Sequence, residues 1–185
     1  MTVHVVPATA DKWPELGRAF GSRRKDPDSC WCQRFLHHEE ADNRSVLQRE
    51  VLDAAEPIGL LAYNGDDVIG WTRVVPRSAL PGIIANRALA KILDDDPEAW
   101  WVSCFAVRRE NRGRRAGTSL LEAAVDWAAK HGASVLDGHP VDTDRLAGTA
   151  SPSAVFTGTL AMFRRAGFTE IGRTYRSRPV MRYQL

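Results

Sequence analysis

The stretch Val107-Arg108-Arg109-Glu110-Asn111-Arg112-Gly113-Arg114-Arg115-Ala116-Gly117-Thr118-Ser119-Leu120-Leu121 decides how the rest of the chain is read. An apolar run, Trp100 to Val107, leads into it, and an amphipathic helix leaves it. Between them lie five arginines and two glycines within ten residues. A strand that feeds a Gly/Arg loop and then a helix start is suited to holding phosphate. The loop amides and the first-turn N–H groups lack intrahelical partners, and the helix dipole adds positive charge at the same place. The Walker and dinucleotide-binding spacings are both absent.

Working outward, Leu120, Leu121, Ala124, Val125 and Ala128 form the apolar stripe of a helix over 117–131, closed by Gly132. Ala133 to Gly138 reads as a buried strand bounded by His139-Pro140, so the centre is a βαβ unit with two parallel strands. Upstream, Thr2 to Ala8 is a strand, Thr9 starts a helix through Phe20, and Asp42-Asn43 caps a second helix. Asn64-Gly65-Asp66-Asp67 joins two apolar runs, Ile58–Tyr63 and Val68–Val75, as a hairpin. A short helix is expected around Arg87 to Leu93. Trp101, Ser103, Phe105 and Val107 are expected on one face of the central strand. Downstream, Val141 to Ser153 is a polar loop, Phe156 to Ala166 a helix, and Phe168–Thr174 and Val180–Leu185 the last strands. The order β-α-α-β-β-β-α-β-α-β-β gives an α/β chain with a central mixed sheet of six to seven strands and about four helices, in one domain, 1–185.

Bulk properties narrow the function. Apolar residues at 44% and charged residues at 26% are globular values that argue against disorder. A net charge of +2 argues against a nucleic-acid partner. No apolar stretch suffices to span a membrane and no signal-peptide core opens the chain, so a cytoplasmic protein with no membrane partner is expected. Three cysteines exclude a fully paired disulfide framework, and Cys30, Cys32 and Cys104 are read as reduced thiols, Cys104 as a buried one. Cys30 and Cys32 with His37 and His38 match no structural zinc spacing, so no metal is assigned.

With these residues on the page, the chain resembles the GNAT acyltransferase superfamily, over nearly its whole length. The superfamily's pyrophosphate loop, Gln/Arg-x-x-Gly-x-Gly/Ala, falls on Arg112 to Gly117, with Arg115 where glycine is usual. The resemblance implies acetyl-CoA as donor and a primary amine as acceptor. It implies a donor site from Phe105, Ala106 and Val107 (the pantetheine edge) through Arg112, Gly113, Arg114, Arg115, Ala116, Gly117 and Thr118 (the pyrophosphate). It also implies a splay between the two parallel strands, with the Val107 amide meeting the developing oxyanion.

Glu98 and His139 are the candidate bases that would take the amine's proton, with Asp137 a weaker one. Phe163 stands where many members have a tyrosine acid, and Phe156 where they often have asparagine. Tyr175 is a weaker candidate acid. The acceptor is implied to meet Cys30–His38, Trp71–Arg77 and Val141–Ser153, with Trp31, Phe35 and Trp71 read either as pocket walls or as core. A non-catalytic acyl-CoA sensor and a homodimer stay open beside these readings.

Overall fold

The computed structural model describes residues 2–36, 42–146, 148, 151 and 154–185. His37 and His38 lie outside the described residues. Among the described residues, seven strands and five α-helices follow in the order β1 (Val3–Pro7), α1 (Trp13–Ala19), α2 (Asn43–Asp53), β2 (Gly59–Asn64), β3 (Asp67–Pro76), α3 (Pro81–Ile84), β4 (Trp100–Val107), α4 (Ala116–Lys130), β5 (Val135–Gly138), α5 (Leu160–Arg165), β6 (Thr169–Tyr175) and β7 (Arg178–Gln184). They form one sheet in the order β1-β2-β3-β4-β5-β7-β6. Only β4 and β5 run parallel; the other neighbours are antiparallel.

The chemistry read in the sequence makes most of these elements. The Asp42 carboxylate accepts the Ser45 amide and starts α2. Asn64 pairs with Asp67 across a tight turn in which Gly65 takes φ +60°, a conformation glycine adopts without steric cost. The buried stripe of α4 packs on one face of the sheet with Ile69, Val102, Leu136 and Phe163. On the other face α1, α2 and the segment between them enclose Trp31, Trp71 and Cys104. Between β3 and β4 the helical turn falls at Pro81–Ile84, earlier than expected; Leu89–Lys91 makes only a 3-10 turn. Pro81 at the first helical position explains the shift, because its fixed φ suits a helix start. Among the described residues, no helix is long and apolar enough to cross a membrane.

Three features correct the sequence reading. First, β4 does not alternate simply. Its register against β3 breaks between Arg73 and Val74, which face Cys104 and Val102, so Ser103 is the extra residue of a bulge. The bulge turns Phe105 and Val107 to the α4 face with Val102, while Trp101 packs in a separate cluster. Secondly, Cys32 and Cys104 form a disulfide, leaving Cys30 as the free thiol. Burial of both residues in one cluster brings together two cysteines far apart in sequence. Thirdly, Phe156 precedes α5 instead of belonging to it. Thr159 caps that helix by accepting the Met162 amide, and Gly158, at φ +85°, sits in the turn before it.

Candidate active site

The parallel strands pair only from Trp100–Val102 to Leu136–Gly138. Beyond Gly138 the chain runs into His139-Pro140, where proline has no amide to continue a ladder. β4 continues to Val107 without β5, so its edge opens beside Phe105. The segment 154–158, here the strap, crosses this opening, and the Phe105 amide donates to the Phe156 carbonyl at 2.6 Å. The expected pantetheine edge is thus taken up at Phe105 by the chain itself. By strand periodicity the Val107 amide is directed to the same side.

From that edge a groove of about 470 Å³ runs to the start of α4, lined among others by Phe105, Val107, Asn111, Arg112, Gly117 and Met162. Arg115 precedes α4 with φ +67° and makes no side-chain cap, so the first-turn amides from Ala116 to Thr118 are left for a ligand. The left-handed backbone there is the conformation that glycine would adopt freely, and an arginine holds it. Arg112 donates its Nε to the Val107 carbonyl at 3.2 Å and so lies back along the strand end. Gly113, Arg115, Ala116 and Thr118 also line the groove, which brings together most of the loop read from the sequence. Ala106 packs on the opposite face of the sheet.

Two residues missed in the sequence join this site. Asn111 is buried, and its Oδ1 has no hydrogen-bond partner among the described residues while it lines the groove. An orphaned buried acceptor suits a ligand that brings an N–H or O–H donor. Arg23, from the 3-10 turn Gly21–Lys25, lines the groove from the other side. Burial, and then the nearby Arg112 charge, push the Arg23 guanidinium pKa down. Two like charges held close favour an anion beside them. A second cavity of about 790 Å³ adjoins it, lined by Arg23, Arg24, Lys25, Arg108, Arg109 and Arg112 among others. Of these, Arg108 is answered by Asp67 and Glu110. The run Arg23-Arg24-Lys25 was visible in the sequence, but only the fold carries it to the loop.

The candidate bases separate. Glu98 is exposed just before β4, at the end opposite the phosphate loop, roughly 20 Å of strand from Phe105. It is not brought to the groove. His139 follows β5 and is buried, its Nε2 2.7 Å from Thr174 Oγ1. Burial, and then the Arg178 charge, lower its pKa to about 4, so the ring is neutral at neutral pH. Asp137 is tied to Arg77 at 3.0 Å and to Arg182 at 2.7 Å, which fixes it as a structural ion cluster between β5, β7 and the β3–β4 connection. Cys104 is bridged and offers no thiol. Tyr175 is exposed at the end of β6. Trp31 and Trp71 are fully buried core, whereas Phe35 meets Phe156, ring centroids 6.4 Å apart. Phe163 is buried in edge contacts with Phe105 and Phe168, and its Cε1 and Cζ press on Gly138. Among the described residues no group of three or more His, Cys, Asp or Glu is arranged to hold a metal.

The chain thus combines an open mixed sheet, a groove at the splayed edge of two parallel strands and an uncapped helix start beside that groove. The sequence profile of the Acetyltransferase (GNAT) family matches residues 23–147, more than half of the chain. The chain therefore belongs to the GNAT acetyltransferase family. Solved structures share the fold along the whole length. An arylalkylamine N-acetyltransferase-like 5b from mosquito is 12% identical, with a TM-score of 0.62, covering 100% of both chains. A GCN5-related N-acetyltransferase from Kribbella flavida is 18% identical, with a TM-score of 0.59, covering 99% of this chain and 98% of that one. A ribosomal-protein-alanine N-acetyltransferase from Brucella melitensis is 18% identical, with a TM-score of 0.57, covering 98% and 99%. No curated protein matches the sequence.

Proposed function

We infer that the chain, as one domain over 1–185, is an N-acetyltransferase that moves an acetyl group from acetyl-CoA to a primary amine by direct attack. The observation that carries this reading is the uncapped start of α4, with Arg112, Arg115 and Arg23 around it, at one end of a groove whose other end is the open edge of β4. Amides and guanidinia there suit the donor's diphosphate. The orphaned Asn111 Oδ1 suits one of its N–H or O–H donors. The family membership supports the same reaction class. A cytoplasmic setting, where acyl-CoA is made, goes with this donor, and nucleic acid is no part of the reading.

The donor supplies the acyl group as a thioester. The residues supply position and proton transfer. Val107 presents its amide toward the groove, where a developing oxyanion would meet it. The amine nitrogen bonds the acyl carbon and the carbon–sulfur bond breaks with its electron pair left on sulfur. The proton leaving nitrogen is assigned to neutral His139, which stands beyond the splay where β5 ends. Glu98 has no part in this scheme. The strap must release Phe105 before a ligand amide can use that edge.

A second reading, a non-catalytic acyl-CoA sensor, has its own observation: Phe163 replaces the usual acid and is sealed in the core. Calorimetric titration with acetyl-CoA, repeated on Arg112→Ala, tests the donor site. Micromolar binding that weakens at least about tenfold is expected from the loss of one charge-assisted contact. Release of free CoA across an amine panel then separates the two readings. Tight donor binding without turnover of any amine leaves the sensor.

A further inference from the structure

Half-buried arginines in this protein come with carboxylates. Arg73 meets Glu50 at 2.7 Å, Arg77 and Arg182 share Asp137, and Arg173 meets Asp142 at 2.7 Å. Burying a guanidinium without a counter-charge is costly, so the pattern is physically expected. Two places break it. One is Arg23 at the phosphate end, where the donor's own anions would supply the counter-charge. The other is at the strap, where Arg178 and Arg34 stand together.

Arg178, at the start of β7, is half-buried and donates Nη1 to Thr157 Oγ1 at 3.0 Å. Arg34 holds its guanidinium 5.3 Å from the centre of the Phe156 ring. The two cations are thus anchored on consecutive strap residues, and the strap is pinned to the Phe105 amide. Neither forms an ion pair among the described residues. Burial, and then the Arg34 charge, push the Arg178 pKa down. His139 belongs to the same group: Thr174 Oγ1 lies 2.7 Å from its Nε2 and 3.4 Å from the Arg178 carbonyl. Two cations, with a neutral imidazole linked to one of them through Thr174, are therefore gathered at the strap that covers the β4 edge at Phe105.

We propose that Arg34 and Arg178 seat an anionic group on the acceptor, a carboxylate or a phosphate monoester, so that the substrate is a small amine bearing a negative charge a few bonds from its nitrogen. This rests on the N-acetyltransferase reading above and narrows its substrate class. A guanidinium presents paired donors to either anion, and two of them leave little choice of orientation. Anchoring the charge on strap residues Phe156 and Thr157 leaves the amine end of the molecule to face Phe105 and His139. The reaction is unchanged: nitrogen gains the acyl carbon, sulfur keeps the electron pair, and the proton passes to His139.

Matched acceptors test the proposal: β-alanine against β-alaninamide, and O-phosphoethanolamine against ethanolamine, with CoA release measured for each. The wild type is expected to favour at least one anionic member by thirtyfold or more in kcat/KM, and the favoured pair tells carboxylate from phosphate. Arg34→Gln, at an exposed position, is expected to lower that preference about tenfold while calorimetric affinity for CoA stays the same. Arg178→Gln is expected to abolish it, and Arg178→Lys to retain part. Binding of N-acetyl-β-alanine, followed by calorimetry without any donor, is expected to fall in the same order. Neutral amines turned over as well as their anionic partners would overturn this proposal and leave the acetyltransferase intact, as would variants that keep the preference. Tight acetyl-CoA binding with no CoA release from any of the four amines would overturn both.

Discussion

The two ends of the β4 groove are built in opposite ways. The phosphate end is largely contiguous: Val107 to Thr118 supply the strand end, the loop, the left-handed turn and the helix start, and Arg23, Met162 and Arg165 join them from elsewhere. The proposed acceptor end is assembled around the strap from Arg34, Phe105, His139, Phe156 and Arg178, five segments linked only in the folded sheet. Recognition of a phosphate needs amides and charge at one helix start, which a dozen residues can encode. Placement of an acceptor needs groups converging from several directions, which only tertiary structure supplies.

The largest expected effect breaks the comparison at its acceptor side. The Cys32–Cys104 bridge spans 72 residues and ties the segment before α2 to β4, next to Phe105. Cross-linking a loop of that length is worth about 4 kcal/mol on chain entropy alone. Reduction is expected to lower the unfolding free energy by roughly that amount, and denatured protein should show one reactive thiol before reduction and three after. Acceptor KM should rise on reduction while CoA affinity, set by the other end, should hold. Equal losses at both ends would show that the groove acts as one unit.

A smaller effect sharpens the role of His139. Its folded pKa, about 4, lies below the ordinary histidine value of 6.5. The unfolded chain therefore binds more protons between those values, and stability must rise with pH across that window. The imidazole's contribution is fully present above about pH 6.5 and is lost as pH falls toward 4, a change of about 3 kcal/mol. Urea unfolding from pH 4 to 7 measures the slope, and His139→Gln should flatten it. A wild-type slope that His139→Gln leaves unchanged would place the proton elsewhere.

Next comes the residue that most marks the acyl end, Phe163. Phe163 is fully buried, and the edge of its ring lies against Gly138. Phe163→Tyr is expected to cost about 1–3 kcal/mol by overpacking and an unsatisfied O–H, and to leave kcat no higher. Thermal unfolding and CoA release measure the two sides. A gain in rate without loss of stability would mean that the ring turns into the groove.

What could be read in the sequence follows the same division. The α4 stripe, the Asn64-Gly65 hairpin and the Asp42 cap all rest on neighbours in sequence, and all were legible. Ser103 was not, because a bulge shows in pairing and leaves no mark on apolar alternation; it moved Trp101 off the Phe105 face. The Cys32–Cys104 bridge was not legible either, since an odd cysteine count is silent about which two residues the core brings together. Phe156 fell in a helical window by composition, but Gly158 and the Thr159 cap restart the chain after it. Arg23 and Asn111 gave only a charge run and an unremarkable polar residue. Glu98 had the right chemistry at the wrong end of its strand.

The smallest expected effect returns to the phosphate end and concerns one backbone angle. Arg115 holds φ +67° where L residues other than glycine are strained by roughly 1 kcal/mol. Arg115→Gly removes that strain in the folded state but adds freedom to the unfolded chain, a cost of similar size. The two nearly cancel, so the melting temperature is expected to move by no more than about 3 °C. Donor affinity is the more telling readout. If the guanidinium contacts phosphate, Arg115→Gly weakens acetyl-CoA binding by about three- to tenfold, while Arg115→Lys loses less. If only the backbone amide serves the ligand, both variants bind as the wild type does. In that case the arginine is a tolerated exception in a turn that needs only its shape.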